Sequence, residues 1–104
     1  NMFTPRSIVK LLQKMYDEIP QERLFSLMAI GGQAGTIANI YKADKPFVFA
    51  KSGTISGVYN LSGYLTTKKG KILIFSLMNN NFNRSTSSVR KEVERILTWV
   101  HENY

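Results

Sequence analysis

The amino-acid sequence predicts an α+β domain in which an antiparallel sheet of three strands carries flanking helices. Three observations predict it. Apolar residues recur at helical spacing near both ends of the chain, strand-like runs occupy the middle, and the last two runs are joined by a short turn. The chain has 104 residues, enough for one domain and not for two. We therefore expect residues 1–104 to form a single domain piece.

The first predicted helix begins at Thr4 and Pro5. Threonine caps the free N–H groups of a helix, and proline at the first helical position loses no hydrogen bond. Four apolar residues follow at helical spacing and form one stripe: Ile8, Leu11, Leu12 and Met15. The helix should end near Pro20, and a second short helical piece is predicted over residues 21–28.

A glycine-rich loop separates these helices from the strands. Residues 31–35 hold three glycines in five positions, which costs too much backbone entropy for the interior of a helix or strand. Strand-like runs follow at residues 47–50, 58–67 and 72–78. A Lys-Lys-Gly turn between the last two runs predicts an antiparallel hairpin. The third run is almost continuously apolar, which predicts that it is covered on both faces.

The chain ends in a further predicted helix. A polar loop at residues 79–83 precedes it, and the hydroxyl-rich residues 85–88 offer several N-caps. Its predicted buried stripe consists of Val89, Val93, Ile96, Leu97 and Val100. Glu92 and Glu94 are assigned to the solvated face. His101 is expected near the C-terminal end, where the helix dipole stabilises a cation.

Composition narrows the range of functions. The chain carries 14 Lys and Arg against 7 Asp and Glu, a net charge of +7, so its surface attracts anions. It has no cysteine, which excludes thiolate catalysis and Cys-based zinc sites, and its one histidine, His101, excludes most His-based triads. No run approaches the about 18 apolar residues of a membrane span. The chain starts at Asn1 with Met2 second, and we expect it to be a piece of something longer.

The most informative segment is Lys51-Ser52-Gly53-Thr54, placed at the end of the first predicted strand. A Lys-(Ser/Thr)-Gly triplet on a strand is typical of serine acyl-transferring enzymes that act on D-Ala-D-Ala peptides and β-lactams. The Lys51 ammonium attracts the free carboxylate of such a substrate, and the hydroxyls of Ser52 and Thr54 hydrogen-bond it. Gly53 lets substrate lie against the strand edge, where the backbone N–H of Thr54 can face a developing oxyanion. The triplet alone is also compatible with a plain strand-end turn.

The surroundings of this Lys-Ser-Gly segment resemble a known family. The positions that carry the likeness are Gly57-Val58, Leu61-Ser62-Gly63-Tyr64, Thr66-Thr67, Gly70 and residues 75–79, preceded by the glycine-rich stretch at residues 31–37. Together they resemble the C-terminal part of the D-alanyl-D-alanine carboxypeptidase/endopeptidase family, the low-molecular-mass class C penicillin-binding proteins of bacteria. Residues 1–6 are similar to the stretch just after the family's Asp-Gly-Ser-Gly-Leu-Ser segment.

The sequence departs from the family pattern at several points. The family most often has Thr where this chain has Ser52, and usually has Asp where it has Ala34. Its Ser-x-x-Lys nucleophile motif and its Ser-x-Asn motif lie upstream, and no Ser-x-Asn occurs in this chain. A Ser-x-x-Lys match at Ser7 and Lys10 lies beyond the region of those motifs, and Ser7 is expected there as part of the helix cap.

The resemblance implies a fold, a reaction and a set of partners. The fold is β-lactamase/transpeptidase-like, with a five-stranded sheet whose further strands lie beside residues 72–78. The reaction is an acyl-enzyme one without metal or organic cofactor: a serine attacks the D-Ala-D-Ala carbonyl, D-Ala leaves, and water or another amine resolves the ester. The implied partners are peptidoglycan stem peptides and β-lactams, in an extracytoplasmic compartment (periplasm or cell envelope).

In that family the present chain would supply one wall of the active site, formed by Lys51, Ser52, Gly53 and Thr54. It would not supply the nucleophile. We therefore expect the isolated chain to be inactive. Its apolar third strand, with partner strands missing, should also make it self-associate.

A different class of function stays open on the residues alone, namely a small basic binding module for nucleic acid or another acidic partner, without catalysis. Tyr59, Tyr64 and Phe75 would stack bases and the net charge of +7 would hold phosphates. The charge is spread over helices and turns, and no Lys/Arg-Gly-aromatic strand signature occurs, so nucleic acid is not the expected partner. Salt-dependent binding of an oligonucleotide separates the two interpretations.

Overall fold

The computed structural model describes residues 4–31, 45–55, 58–80 and 86–104. In chain order the elements are α1 (Pro5–Glu18), α2 (Gln21–Ser26), β1 (Ala29–Ile30), β2 (Val48–Ile55), β3 (Val58–Thr66), β4 (Ile72–Asn80) and α3 (Thr86–Asn103). The strands form one antiparallel sheet in the order β1-β2-β3-β4. The predicted α+β class is confirmed, and the sheet gains a fourth strand, the two-residue β1.

Helix α1 begins as its sequence predicts. The hydroxyl of Thr4 accepts a hydrogen bond from the N–H of Ser7 (3.1 Å), and the Ser7 hydroxyl accepts one from the N–H of Thr4 (3.0 Å). This reciprocal capping box satisfies two of the free N–H groups at the helix start. The buried stripe is narrower than predicted, since Leu12 is buried while its neighbour Leu11 is 52% exposed.

Two helical layers sandwich the sheet. On the first face, α1 and α2 cover a cluster made of Leu12, Leu24, Phe25 and Tyr64, with Phe49, Ile72 and Ile74 packed against it. On the second face, α3 covers a larger cluster that includes Val48, Ala50, Leu61, Leu65, Val89, Val93 and Leu97. The stripe of α3 is as predicted except at Ile96, which is 44% exposed.

Side chains of strand β4 pack into both layers. Its residues Ile72 and Ile74 pack on the first face, while Leu73, Phe75 and Leu77 pack on the second. The prediction that this apolar run is covered on both faces is therefore confirmed, with the run lengthened to Asn80. Among the described strands β4 pairs only with β3, so its other edge carries no described partner.

Two predicted boundaries are wrong, both because pairing continues further than local propensity suggests. Strand β2 runs to Ile55, so the Lys-Ser-Gly segment lies inside a strand and not at its end. Residues 79 and 80, predicted as loop, belong to β4 because they pair with β3. Residues 81–83 of that predicted loop, and residues 32–35 of the glycine-rich loop, lie outside the described residues. No helix in the described ranges is long and apolar enough to cross a membrane.

Candidate active-site wall

The ladder between β2 and β3 defines which way each backbone group of the Lys-Ser-Gly segment faces. The N–H of Thr66 donates to the carbonyl of Phe47 (2.9 Å), so odd-numbered residues of β2 face β3 in an alternating antiparallel ladder. The even-numbered residues then direct their N–H and C=O groups to the opposite, outer edge. The N–H of Gly31 donates to the carbonyl of Val48 across that outer edge (2.8 Å), as the alternation requires.

The outer edge of β2 is bordered by β1, which pairs with Phe49 and Ala50, and no other described strand adjoins β2 on that side. By the same alternation, the backbone groups of Thr54 face this edge. An edge of this kind accepts an extended ligand by strand addition, with the ligand's backbone supplying the next row of hydrogen bonds.

The side chains of the segment divide between the two faces of the sheet. Lys51 pairs with Ser62 and lies on the face that carries α1, with its side chain exposed. Ser52 pairs with Leu61, a member of the cluster under α3, and is half-buried on the opposite face. Only the backbone of Thr54 is described. The four predicted residues therefore lie together on β2, with the side chains of Lys51 and Ser52 on opposite faces of the sheet.

A polar row crosses the sheet beside Lys51. Ser62 on β3 and Ser76 on β4 are the next two residues in register with it, and their hydroxyl oxygens lie 3.0 Å apart. Ser62 is only 8% exposed, so this mutual hydrogen bond satisfies a buried polar group. Sequence reasoning missed this pair because the two serines are 14 residues apart and meet only through strand register.

Gly53 has a neighbour that restricts it. A Cβ atom at this position would lie 3.3 Å from the side-chain oxygen of Asn60, its partner on β3. The absence of a side chain at Gly53 thus gives the Asn60 amide its place on the face that carries Lys51.

Two Ser-x-x-Lys matches do not join this site. Ser7 is engaged in the capping box, where its hydroxyl also donates to the carbonyl of Thr4 (2.9 Å), so the structural interpretation of this serine is confirmed. A second match, Ser88 and Lys91, was missed in the pattern analysis. It lies on α3, which packs on the face opposite Lys51.

The aromatic residues proposed to stack nucleic-acid bases are core residues. Tyr59 is 3% exposed and Tyr64 is fully buried, with its hydroxyl donating to the carbonyl of Leu12 (2.8 Å). Phe75 packs under α3. Burial raises the pKa of Tyr59, although Arg90, 5.7 Å above its ring, lowers it in part, and burial raises the pKa of Tyr64. The base-stacking hypothesis is wrong for these three residues because their rings pack against other side chains of the core.

A family model matches nearly the whole chain. The model of the D-Ala-D-Ala carboxypeptidase 3 (S13) family matches residues 1–102. The chain belongs to this family. A "Carboxypeptidase DacB" of Mycolicibacterium smegmatis is 34% identical over 64 residues, covering 56% of this chain and 14% of its own length. A "D-alanyl-D-alanine carboxypeptidase DacB" of Haemophilus influenzae is 27% identical over 99 residues, covering 91% of this chain and 20% of its own length.

Solved structures show the same fold. Penicillin binding protein 4 (dacB) of Haemophilus influenzae superposes with a TM-score of 0.80 at 21% identity, over 98% of this chain and 25% of that chain. A structure of the same protein complexed with a β-lactam superposes with a TM-score of 0.79 at 20% identity, over 98% of this chain and 26% of that chain. The present chain therefore spans about a quarter of the solved S13-like structures and a fifth or less of the curated relatives.

Proposed function

We propose that this chain is the C-terminal part of a serine-type D-alanyl-D-alanine carboxypeptidase/endopeptidase that cleaves peptidoglycan stem peptides and is acylated by penicillins. One observation carries the proposal. The Lys-Ser-Gly segment lies within β2, and the ladder directs the backbone groups of Thr54 to the outer edge of β2, beyond the two residues with which β1 pairs. Membership of the S13 family supports the substrate class.

In the proposed reaction a serine of the longer protein attacks the carbonyl carbon between the two D-Ala residues. A bond forms between its oxygen and that carbon, and the carbonyl oxygen takes on negative charge that the N–H of Thr54 stabilises. The carbon–nitrogen bond then breaks, and the terminal D-Ala leaves with its nitrogen carrying the proton that the serine hydroxyl gave up. Water attacks the resulting ester and restores the serine hydroxyl.

The proposed role of Lys51 is to bind the free carboxylate of the terminal D-Ala. Its ammonium is a charge-assisted donor, which is worth more than a neutral hydrogen bond. The exposed position of Lys51 on β2 supports this role, since the side chain is accessible from the solvent. The substrate class also supports an extracytoplasmic location, in the periplasm or cell envelope.

Lys51→Ala in the whole protein tests the proposal. We expect acylation by a labelled penicillin to slow by about 30- to 1,000-fold, or roughly 2–4 kcal/mol of transition-state stabilisation. Lys14→Ala removes the same charge from the exposed face of α1 and should leave acylation unchanged. An unchanged acylation rate in Lys51→Ala would remove the proposed role of Lys51.

The isolated chain provides a second test, because it is proposed to hold the wall of the site without the nucleophile. Intact-mass measurement after incubation with penicillin should find no covalent adduct. An adduct mapped to Ser7 or Ser88 would show that one of the two Ser-x-x-Lys matches is catalytic, contrary to the proposal.

We also propose that the isolated chain self-associates through the outer edge of β4. That nine-residue strand has no described partner on this side, and unpaired backbone groups at an edge template pairing with another chain. Light scattering at micromolar concentration should give a mass above the 11.8 kDa of one chain. A monomer in which the amides of β4 are protected from exchange would contradict this.

A further inference from the structure

A groove lies at the end of the sheet away from the Lys-Ser-Gly segment. It has a volume of about 750 Å³ and lies between the residues that lead into β2, the β3–β4 turn and the last turn of α3. We call this space the turn groove. The residues that line it include Lys45, Phe47, Thr66, Thr67, Lys68 and His101. Phe47 and Gly53 are six residues apart along an extended segment, or about 20 Å. One small ligand therefore cannot contact both regions.

His101 is held in a defined position at the turn groove. Its Nδ1 lies 2.6 Å from the carbonyl oxygen of Thr66, and its ring stacks on Phe47 with centroids 3.9 Å apart. A carbonyl oxygen can only accept a hydrogen bond, so Nδ1 carries the proton. In the neutral ring Nε2 is then an acceptor, and no described residue hydrogen-bonds to it.

The walls of the groove are also held in place. The N–H of Lys68 donates to the carbonyl of His101 (2.9 Å), which ties the turn to α3. The hydroxyl of the buried Thr67 accepts from the N–H of Lys71 (3.1 Å), which closes the turn on itself. The site is therefore preorganised, and binding a ligand orders little further backbone.

Positive charge surrounds this fixed imidazole. Lys45 and Lys68 line the groove, and Lys69 and Lys71 belong to the same turn. Glu102 lies beside Lys68, with its carboxylate 3.7 Å from the Lys68 ammonium and both side chains at least half exposed. An exposed ion pair at this distance contributes little, so an anionic ligand can compete for Lys68.

We propose that the turn groove binds inorganic phosphate as the hydrogen phosphate anion. Two ammonium groups, of Lys45 and Lys68, supply the attraction for the anion. The acceptor Nε2 of His101 suits an anion that also carries an acidic O–H, which hydrogen phosphate has and a carboxylate or sulfate lacks at neutral pH. This site is independent of the proposed peptidase function.

The test compares two anions on the whole protein that carries this chain, by calorimetric titration at about pH 8. Hydrogen phosphate and sulfate have the same charge and shape there and differ in one proton. We expect saturable phosphate binding and at least about fivefold weaker sulfate binding. Glycerol 3-phosphate, whose dianion at about pH 8 has no O–H, should bind about as weakly as sulfate.

Variants locate the site. Lys45→Ala and Lys68→Ala should each weaken phosphate binding about fivefold, while Lys14→Ala on α1 should not. His101→Asn, which keeps a donor near the Nδ1 position, should remove the preference for phosphate over sulfate, and His101→Gln, with an acceptor near Nε2, should retain it. Thermal unfolding of each variant checks that it is folded.

The proposal is overturned if phosphate shows no saturation up to about 20 mM, if sulfate binds equally well, or if Lys14→Ala weakens binding as much as the groove variants. If His101→Asn does not fold, the lysine variants and the comparison of anions on the unaltered protein still test the proposal.

Discussion

Two neighbouring rows of side chains on one face of the sheet have opposite characters. The apolar row consists of Phe49, Tyr64 and Ile74, and it lies under α1 and α2. The polar row, two residues further along β2, consists of Lys51, Ser62 and Ser76. Alternation along a strand places both rows on the same face, so the face by itself does not determine which row packs against the helices. The first row does so through its apolar side chains.

The apolar row anchors the helices directly beside the polar row. The ring of Phe25 on α2 stacks on Phe49 (centroids 4.3 Å apart) and lies 5.3 Å from Tyr64. Aromatic pairs of this kind add to the stabilisation from burial alone. The polar row contributes one hydroxyl pair and an exposed lysine. One row therefore packs against the helices, while the other ends in an exposed lysine.

Gly63→Ala should break this arrangement most severely. Its Cβ would lie 2.2 Å from the carbonyl oxygen of Phe49, so β2 must move away from β3 between the two rows. We expect a loss of about 4 kcal/mol in the free energy of unfolding, measured by urea titration at one fixed protein concentration. Gly53→Ala is the matched control, since its Cβ meets only the movable Asn60 side chain at 3.3 Å. Equal losses in the two variants would contradict the backbone contact as the cause.

Leu24→Ala tests the apolar row through the helix that covers it. Leu24 is fully buried in the cluster with Phe25 and Tyr64. The variant should lose about 3 kcal/mol of unfolding free energy, because it creates a cavity in addition to losing transfer energy. Leu11→Ala, at an exposed position of α1, should cost less than about 0.5 kcal/mol. A small effect at Leu24 would mean that α2 contributes little to the stability of the sheet.

Tyr64→Phe tests the contribution of a single oxygen atom in the apolar row. It removes the hydroxyl that donates to the carbonyl of Leu12 and should cost about 1 kcal/mol in the same urea titration. Because burial raises the pKa of Tyr64 above 10.0, the native state holds the phenolic proton more tightly than the unfolded state. The corresponding stability is present below about pH 10 and is lost as the pH rises through the native pKa. The variant should therefore lose stability less steeply above about pH 10, and parallel curves would contradict this.

Ser62→Ala and Ser76→Ala should each have an effect no larger than that of Tyr64→Phe. Each leaves a partly buried hydroxyl without its partner, at a cost of about 1 kcal/mol, while the double variant removes both hydroxyls and should cost less than the sum. A double-mutant cycle by urea unfolding measures this coupling. Strict additivity would mean that the two hydroxyls do not stabilise each other.

The local sequence was sufficient to predict the three helices and the three longer strands. Caps and periodicity predicted α1 from Thr4 and Pro5 and the stripe of α3, and the short turn predicted the hairpin of β3 and β4. These features depend on residues a few positions apart, and the chemistry of a cap or turn acts over that range. The Lys-Ser-Gly segment was likewise recognised as a contiguous motif. The Lys51→Ala variant tests the role proposed for it.

Tertiary structure decided what depends on partners distant in the chain. Pairing with β3 carries β2 past Lys51 to Ile55, although serine and glycine are poor strand formers. Strand register brings Ser62 to Ser76, and the placement of α3 on the sheet brings His101 to the carbonyl of Thr66, 35 residues away. No local pattern encodes these contacts, because their free energy appears only when both partners are already held in the folded chain.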